Sequence, residues 1–79
     1  MTNIQWYLAH NIREFRTKKS LTQEKLAELA GTSGNYIAQI ERGEKYPSAK
    51  MVERIAESLE TDSSCLFCKP PAEFTNPWN

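Results

Sequence analysis

The stretch Thr22-Gln23-Glu24-Lys25-Leu26-Ala27-Glu28-Leu29-Ala30-Gly31-Thr32-Ser33-Gly34-Asn35-Tyr36-Ile37-Ala38-Gln39-Ile40-Glu41 reads as two short helices across a tight turn. Thr22 is placed as an N-cap, with Gln23 and Glu24 in the first turn, where a carboxylate suits the positive end of the helix. Leu26, Ala27, Leu29 and Ala30 supply an inner face. Gly31 ends that helix because it takes a left-handed conformation without steric cost. Thr32 or Ser33 caps the next helix, whose inner positions are Ile37 and Ile40. The small Ala27 leaves room where the second of these helices crosses, Gly31 follows four residues later, and Ile37 plugs the crossing six residues after that. Small residue, glycine and branched apolar residue in this order are the packing pattern of a helix-turn-helix.

Upstream, Ile4, Leu8, Ile12 and Phe15 mark one face of a first helix, which the cations Lys18 and Lys19 close. Leu21 is the buried joint to the motif. Downstream, Gly43 ends the third helix, Glu44 to Pro47 form a loop, and Ser48 caps a fourth helix with Met51, Val52, Ile55, Ala56 and Leu59 as its apolar stripe. Asp62 is placed to cap a short fifth turn holding Leu66 and Phe67. Lys69-Pro70-Pro71 cannot continue a helix, and Pro77 adds a further break. No segment alternates as a strand does. The expectation is an all-α fold, a compact four- to five-helix bundle over residues 1–68 with its helix-turn-helix at 22–41, followed by an irregular tail, 69–79.

Composition sets bounds on function. The 79 residues are 39% hydrophobic and 25% charged with a net charge of zero, as in an ordinary globular domain. The charge is polarised: residues 1–50 carry eight Lys or Arg against five acids, and residues 51–79 carry two against five. The basic half holds the motif. No apolar run approaches the roughly 18 residues of a membrane span, and the first residues lack the basic and apolar regions of a secretory signal, so the cytoplasm is the default location. No nucleophile, acid–base or metal constellation converges, so neither an enzyme nor a cofactor is expected. Cys65 and Cys68 form a C-x-x-C, but a structural zinc needs four ligands and His10 is the sole other soft donor. Redox use normally accompanies a βαβ pattern, absent here. The two thiols are read as packing beside Leu66 and Phe67. Glu53, Glu57, Glu60 and Asp62 are read as the wet face of the fourth helix. Trp6 falls opposite the Leu8–Ile12–Phe15 face; it caps the core or meets the tail or a partner subunit.

Leu21-Thr22-Gln23-Glu24-Lys25-Leu26-Ala27, Ile40-Glu41-Arg42-Gly43 and Pro47-Ser48 together resemble the lambda-repressor/Cro-like (XRE-type) helix-turn-helix family over about Leu8 to Phe67. The resemblance implies a five-helix domain whose third helix enters the major groove of double-stranded DNA. With Ile37 and Ile40 inward, the helical period turns Gly34, Asn35, Ala38, Gln39 and Arg42 outward. The family reads bases at the positions of Gly34, Asn35 and Gln39; an Asn or Gln amide bonds bidentately to adenine N6 and N7. Gly34 departs from the longer polar residue often found there, and the small Gly34 and Ala38 would let the helix sit deep or meet a thymine methyl. Tyr36 resembles a phosphate or base-edge contact and equally reads as a half-buried aromatic.

Gln23 faces a phosphate from the start of the second helix, and Arg42, Lys45 and Lys50 flank the recognition helix as backbone contacts. Arg16 and Glu41 resemble a family ion pair that braces the recognition helix and orients Arg16 near the DNA backbone. A single domain reads four or five base pairs, so a homodimer on a palindromic operator is expected, joined through Leu59, Leu66, Phe67, Phe74 and Trp78. Repression by promoter occlusion is the simplest mechanism, with no small-molecule effector and no membrane partner. The alternative is a protein–protein module on the same fold that has lost DNA binding.

Overall fold

Four hydroxyl caps set where the helices begin. Thr2, Thr22, Ser33 and Ser48 each accept the backbone N–H three residues on, from Gln5 (3.2 Å), Lys25 (2.9 Å), Tyr36 (3.1 Å) and Met51 (3.2 Å). Each satisfies an otherwise orphaned donor and contributes about 1 kcal/mol. In the computed structural model, which describes residues 2–74, they open α1 (Asn3–Lys18), α2 (Gln23–Ala30), α3 (Gly34–Glu41) and α4 (Ala49–Ser58); a short 3-10 helix, Ser63–Phe67, follows. Ser33, not Thr32, caps α3. Asp62 precedes the 3-10 helix without a side-chain cap. Among the described residues there is no strand.

The helix ends use left-handed residues. Gly31 (φ +76°) and Gly43 (φ +77°) follow expectation, whereas Ser20 and Glu60, both at φ +57°, hold the same conformation after α1 and α4 with side chains that disfavour it. Leu21 N–H returns to the Arg16 carbonyl (3.0 Å) and Thr61 N–H to that of Ala56 (3.0 Å), so hydrogen bonds of the Schellman type hold both turns in place.

The core is continuous across all the elements. Leu8 and Ile12 of α1, Leu26, Ala27 and Ala30 of α2, Ile37 and Ile40 of α3, and Val52, Ile55 and Ala56 of α4 meet Leu59 and Leu66 inside, with Phe15, Leu21, Tyr36 and Met51 at the edge. α2 packs on α3 and α4, while α1 packs on α3 and the 3-10 helix. Two residues assigned to inner faces lie outside: Ile4 is 51% exposed and Leu29 52%. Ile4 sits in the first turn of α1, beyond the core, and Leu29 falls outside the single arc that Leu26, Ala27 and Ala30 bury on α2. Ala38 departs in the other direction. It is buried, because α3 is enclosed over a wider arc than Ile37 and Ile40 alone define.

Leu59 and Leu66 are 1% and 0% exposed, which removes both from any dimer surface: their side chains are consumed within the monomer core. Phe67 and Phe74 remain partly exposed, and Trp78 lies outside the described residues. The start of the tail is less free than its prolines suggest. Pro70 is buried, and His10 lies 4.9 Å from Trp6 and 4.7 Å from Phe74 between ring centroids. Trp6 thus joins an aromatic cluster with the returning tail. Asn11, a buried polar residue on the inner side of α1, donates through Nδ2 to the carbonyls of Leu66 (2.9 Å) and Cys68 (2.7 Å). No helix of the described residues is long and apolar enough to cross a membrane.

Replacing Asn11 leaves two inward-facing carbonyls without their donor, and an unpaired buried polar group is costly. Asn11→Ala is expected to lower stability by about 2 kcal/mol in urea denaturation and to change the Trp6 near-ultraviolet signal. A loss below about 0.5 kcal/mol would show that water replaces the amide and that the tail anchor lies elsewhere.

Candidate nucleic-acid interface

The Glu41 carboxylate gathers three elements at the end of α3. Its Oε2 accepts from Arg16 Nε at 2.7 Å and its Oε1 from Arg16 Nη2 at 3.1 Å, a two-pronged pair across α1 and α3. Oε1 also accepts from Gln23 Nε2 of α2 at 3.1 Å. Arg16 Nη1 donates to the Leu21 carbonyl at 2.8 Å, tying in the turn between α1 and α2. The Arg16 and Glu41 side chains are 12% and 5% exposed. A largely desolvated planar guanidinium set two-pronged against a carboxylate is among the stronger polar arrangements a protein makes.

The pairing of Arg16 with Glu41 is therefore present. Arg16 makes three hydrogen bonds inside the molecule, two to Glu41 and one to the Leu21 carbonyl, so its geometry serves to brace α3. Gln23 likewise holds Glu41 with its side chain, a link that the sequence did not signal. The N-terminus of α2, which opens at Gln23, still presents first-turn N–H groups as donors for a phosphate.

α3 starts at Gly34, and the reason for glycine is steric. A Cβ there would lie 2.9 Å from Glu24 Cγ and 3.3 Å from Glu24 Cα, so α2 and α3 cross too closely for a side chain without a shift. Any contact from position 34 is made by its backbone. Asn35 is exposed and Gln39 half-buried; one turn apart, their Cβ atoms are roughly 6 Å from each other on a helix. Tyr36 is half-buried against the core, in line with its aromatic reading. The buried Ala38 is unavailable to a thymine methyl.

Beyond α3 the chain folds back on itself through Gly43. The Gln39 carbonyl accepts from the N–H groups of Glu44 (2.8 Å) and Lys45 (3.3 Å), which holds Lys45 beside the end of the helix. Lys45 and Lys50 are exposed. Arg42 is exposed as well but is paired with Glu44, Nε to Oε2 at 2.8 Å and Nη2 to Oε1 at 3.1 Å. The hydrogen bond to Glu44, then its charge, raises the Arg42 pKa; the hydrogen bond from Arg42 holds Glu44 below the usual carboxylate range. Protonation of Glu44 in acid, below the usual glutamate pKa of about 4.3, removes that pairing. Both groups are in solvent, where such pairs exchange partners readily. Lys19 and Glu60 form a second exposed pair at 2.9 Å.

Comparison with known proteins places this architecture. The helix-turn-helix family model HTH_3 matches residues 12–64. The control protein C.SmaI of Serratia marcescens is 36% identical over 67 residues, covering 85% of this chain and 80% of that protein. The restriction-modification controller protein C.AhdI from Aeromonas hydrophila superposes with a TM-score of 0.77 at 33% identity, over 80% of this chain and 96% of that one. A hypothetical transcription factor, NHTF, from Neisseria gives a TM-score of 0.81 at 31% identity, over 89% of this chain and 79% of that one. Two HTH-type transcriptional regulators of Mycobacterium tuberculosis are longer: the match, 34% identical, spans 41% of their length.

Removing one member of the buried pair leaves the other charge desolvated and unpartnered. Glu41→Ala is expected to cost about 3 kcal/mol, and an Arg16→Met/Glu41→Leu double variant to recover most of that loss, as read by denaturant titration. A double variant as unstable as the single would contradict the pair's bracing role. The family match over residues 12–64 and the relatives above agree with the braced third helix: this chain belongs to the helix-turn-helix family HTH_3.

Proposed function

We propose that the chain represses transcription in the cytoplasm by binding a palindromic operator as a homodimer, with Asn35 and Gln39 of α3 reading base edges in the major groove. The observation that carries this reading is the brace on α3. Its outward amides sit on a helix fixed at one end by the crossing of Gly34 over Glu24 and at the other by Glu41. Fixed amides can specify bases because a bidentate contact needs both hydrogen bonds at once. Arg42, Lys45 and Lys50, with the N-terminus of α2, supply phosphate contacts that set register. Occupying a promoter in this way excludes polymerase by volume alone and needs neither an effector nor an enzymatic step.

A dimer is supported by the size of the footprint. One α3 spans four or five base pairs, and a two-fold pair of them meets half-sites about 34 Å apart. With Leu59 and Leu66 committed to the core, the surface left for a second copy centres on Phe67. It borders a largely apolar groove of about 300 Å³ shared with Tyr46, Pro47, Ala49 and Val52. Tyr46 and Phe67 are 52% and 36% exposed, and burying a large aromatic contributes roughly 1.5–3 kcal/mol. The protein–protein alternative finds less support: the large exposed apolar residues Ile4, Leu29, Tyr46, Phe67 and Phe74 all lie off α3.

The phosphate contacts are tested by salt titration of duplex binding, followed by fluorescence anisotropy. Affinity is expected to fall steeply with salt as counterions are released. Lys45→Ala should lower the slope by about one, whereas Glu44→Gln, which frees Arg42 and removes an anion, should tighten binding. A Glu44→Gln variant that binds more weakly would remove Arg42 from the interface. Sedimentation should find two chains per duplex for the wild type and one for Phe67→Asp; a wild type bound as a monomer would overturn the dimer.

A further inference from the structure

The C-x-x-C of Cys65 and Cys68 is not absorbed by DNA binding, and Cys68 is not packed as the sequence suggested. Cys68 is exposed and Cys65 half-buried, both free. Cys65 lies inside the 3-10 helix and Cys68 is its C-cap. In a 3-10 turn, residues three apart stack over each other with a rise of about 6 Å, within the Cα separation of roughly 4.4–6.8 Å that a disulfide spans. The Cys68 thiol is turned back along this helix, its Sγ 3.7 Å from the Ser64 carbonyl oxygen, toward the turn that holds Cys65. The surroundings of the two differ. Cys65 borders a shallow polar depression with Glu57, Glu60, Thr61 and Asp62, while Cys68 is followed by the exposed Lys69.

We propose that Cys65 and Cys68 form a thiol–disulfide exchange site for low-molecular-weight disulfides, with Cys68 attacking and Cys65 resolving. The Cys68 thiolate attacks one sulfur of a small disulfide, forming a mixed disulfide and releasing one small thiolate. The Cys65 thiolate then attacks Cys68 Sγ, forming the Cys65–Cys68 bond and releasing the second small thiolate. The two protons from the protein thiols pass to the two departing thiolates. The protein dithiol is oxidised by two electrons and the small disulfide is reduced to two thiols. Attack at Cys68 is favoured because an anionic small disulfide is repelled by the carboxylates around Cys65 and not by Lys69. The disulfide so formed ends on the exposed Cys68, and exposed disulfides are the readily reduced ones, so the step reverses under a modest excess of thiol.

The test treats the full chain with oxidised glutathione and follows intact mass and free thiols. The wild type is expected to lose both thiols without a retained adduct or a cross-linked dimer, and dithiothreitol should restore them. Cys65→Ser should stop at one glutathionyl group on Cys68, and Cys68→Ser should react at least about tenfold more slowly. The proposal is overturned by a stable adduct on the wild type, by cross-linked chains as the main product, or by equal reactivity of the two variants. The wild-type result alone decides ring closure even where a variant loses its helicity.

Discussion

The carboxylate of Glu41 is the constraint on which the arrangement depends. It lies at the last residue of α3, nearly out of solvent, and is reached by a guanidinium from α1 and an amide from α2. A buried anion without partners is untenable, so the three helices must arrive in one relative placement for this residue to be charged where it is. Apolar packing of Ile37 and Ile40 supplies the affinity of α3 for the core, but hydrophobic contact is non-directional. The ion pair adds direction. Through Arg16 Nη1 it also fixes the Leu21 carbonyl, and with it the entry of the chain into α2. The same polar centre thus sets the angle of both helices of the motif.

A net charge of zero would disfavour a polyanionic partner if charge acted only as a sum. Here it acts by position. Four of the cations in the basic half, Arg16, Lys19, Lys25 and Arg42, are paired with acids, and two of these pairs lie at α3: Arg16 with Glu41 and Arg42 with Glu44. These two pairs differ. The Arg16 pair is desolvated and persistent, whereas the Arg42 pair stands in water and is held loosely, so a phosphate can compete for it. Lys45, held beside the end of α3 through the Gln39 carbonyl, adds an exposed cation there, and the acids of α4 and its following loop, Glu53, Glu57, Glu60 and Asp62, stand apart from the motif in the chain.

Much of this was legible in the sequence, and the reasons are local. Thr22, Gly31, Ile37 and Ile40 announce their roles because capping, left-handed turns and helical periodicity operate within a few residues. Ser20 and Glu60 gave no such signal, since nothing in their chemistry favours the left-handed conformation that the returning chain imposes on them. Asn11 and the inward turn of Ala38 were illegible for another reason: their partners are distant in sequence or supplied by several helices at once. Gly34 was legible as unusual but not as the contact point with Glu24. Leu59 and Leu66 were misassigned to a dimer surface because apolar residues past a seemingly complete core look spare. The core extends to the 3-10 helix and takes both. Arg16 and Glu41 were found by resemblance, and their burial explains why that pair, unlike Arg42 and Glu44, braces the fold.

The central claim is that α3, held by Glu41, specifies DNA sequence through Asn35 and Gln39. It is tested most directly by selection from a randomised duplex pool at moderate salt, comparing the wild type with an Asn35→Ala/Gln39→Ala variant of equal helicity. Enrichment of a two-fold symmetric site by the wild type, relaxed or lost in the variant, is the predicted result. The same site enriched equally by both proteins, or no site enriched by a folded wild type, would contradict it.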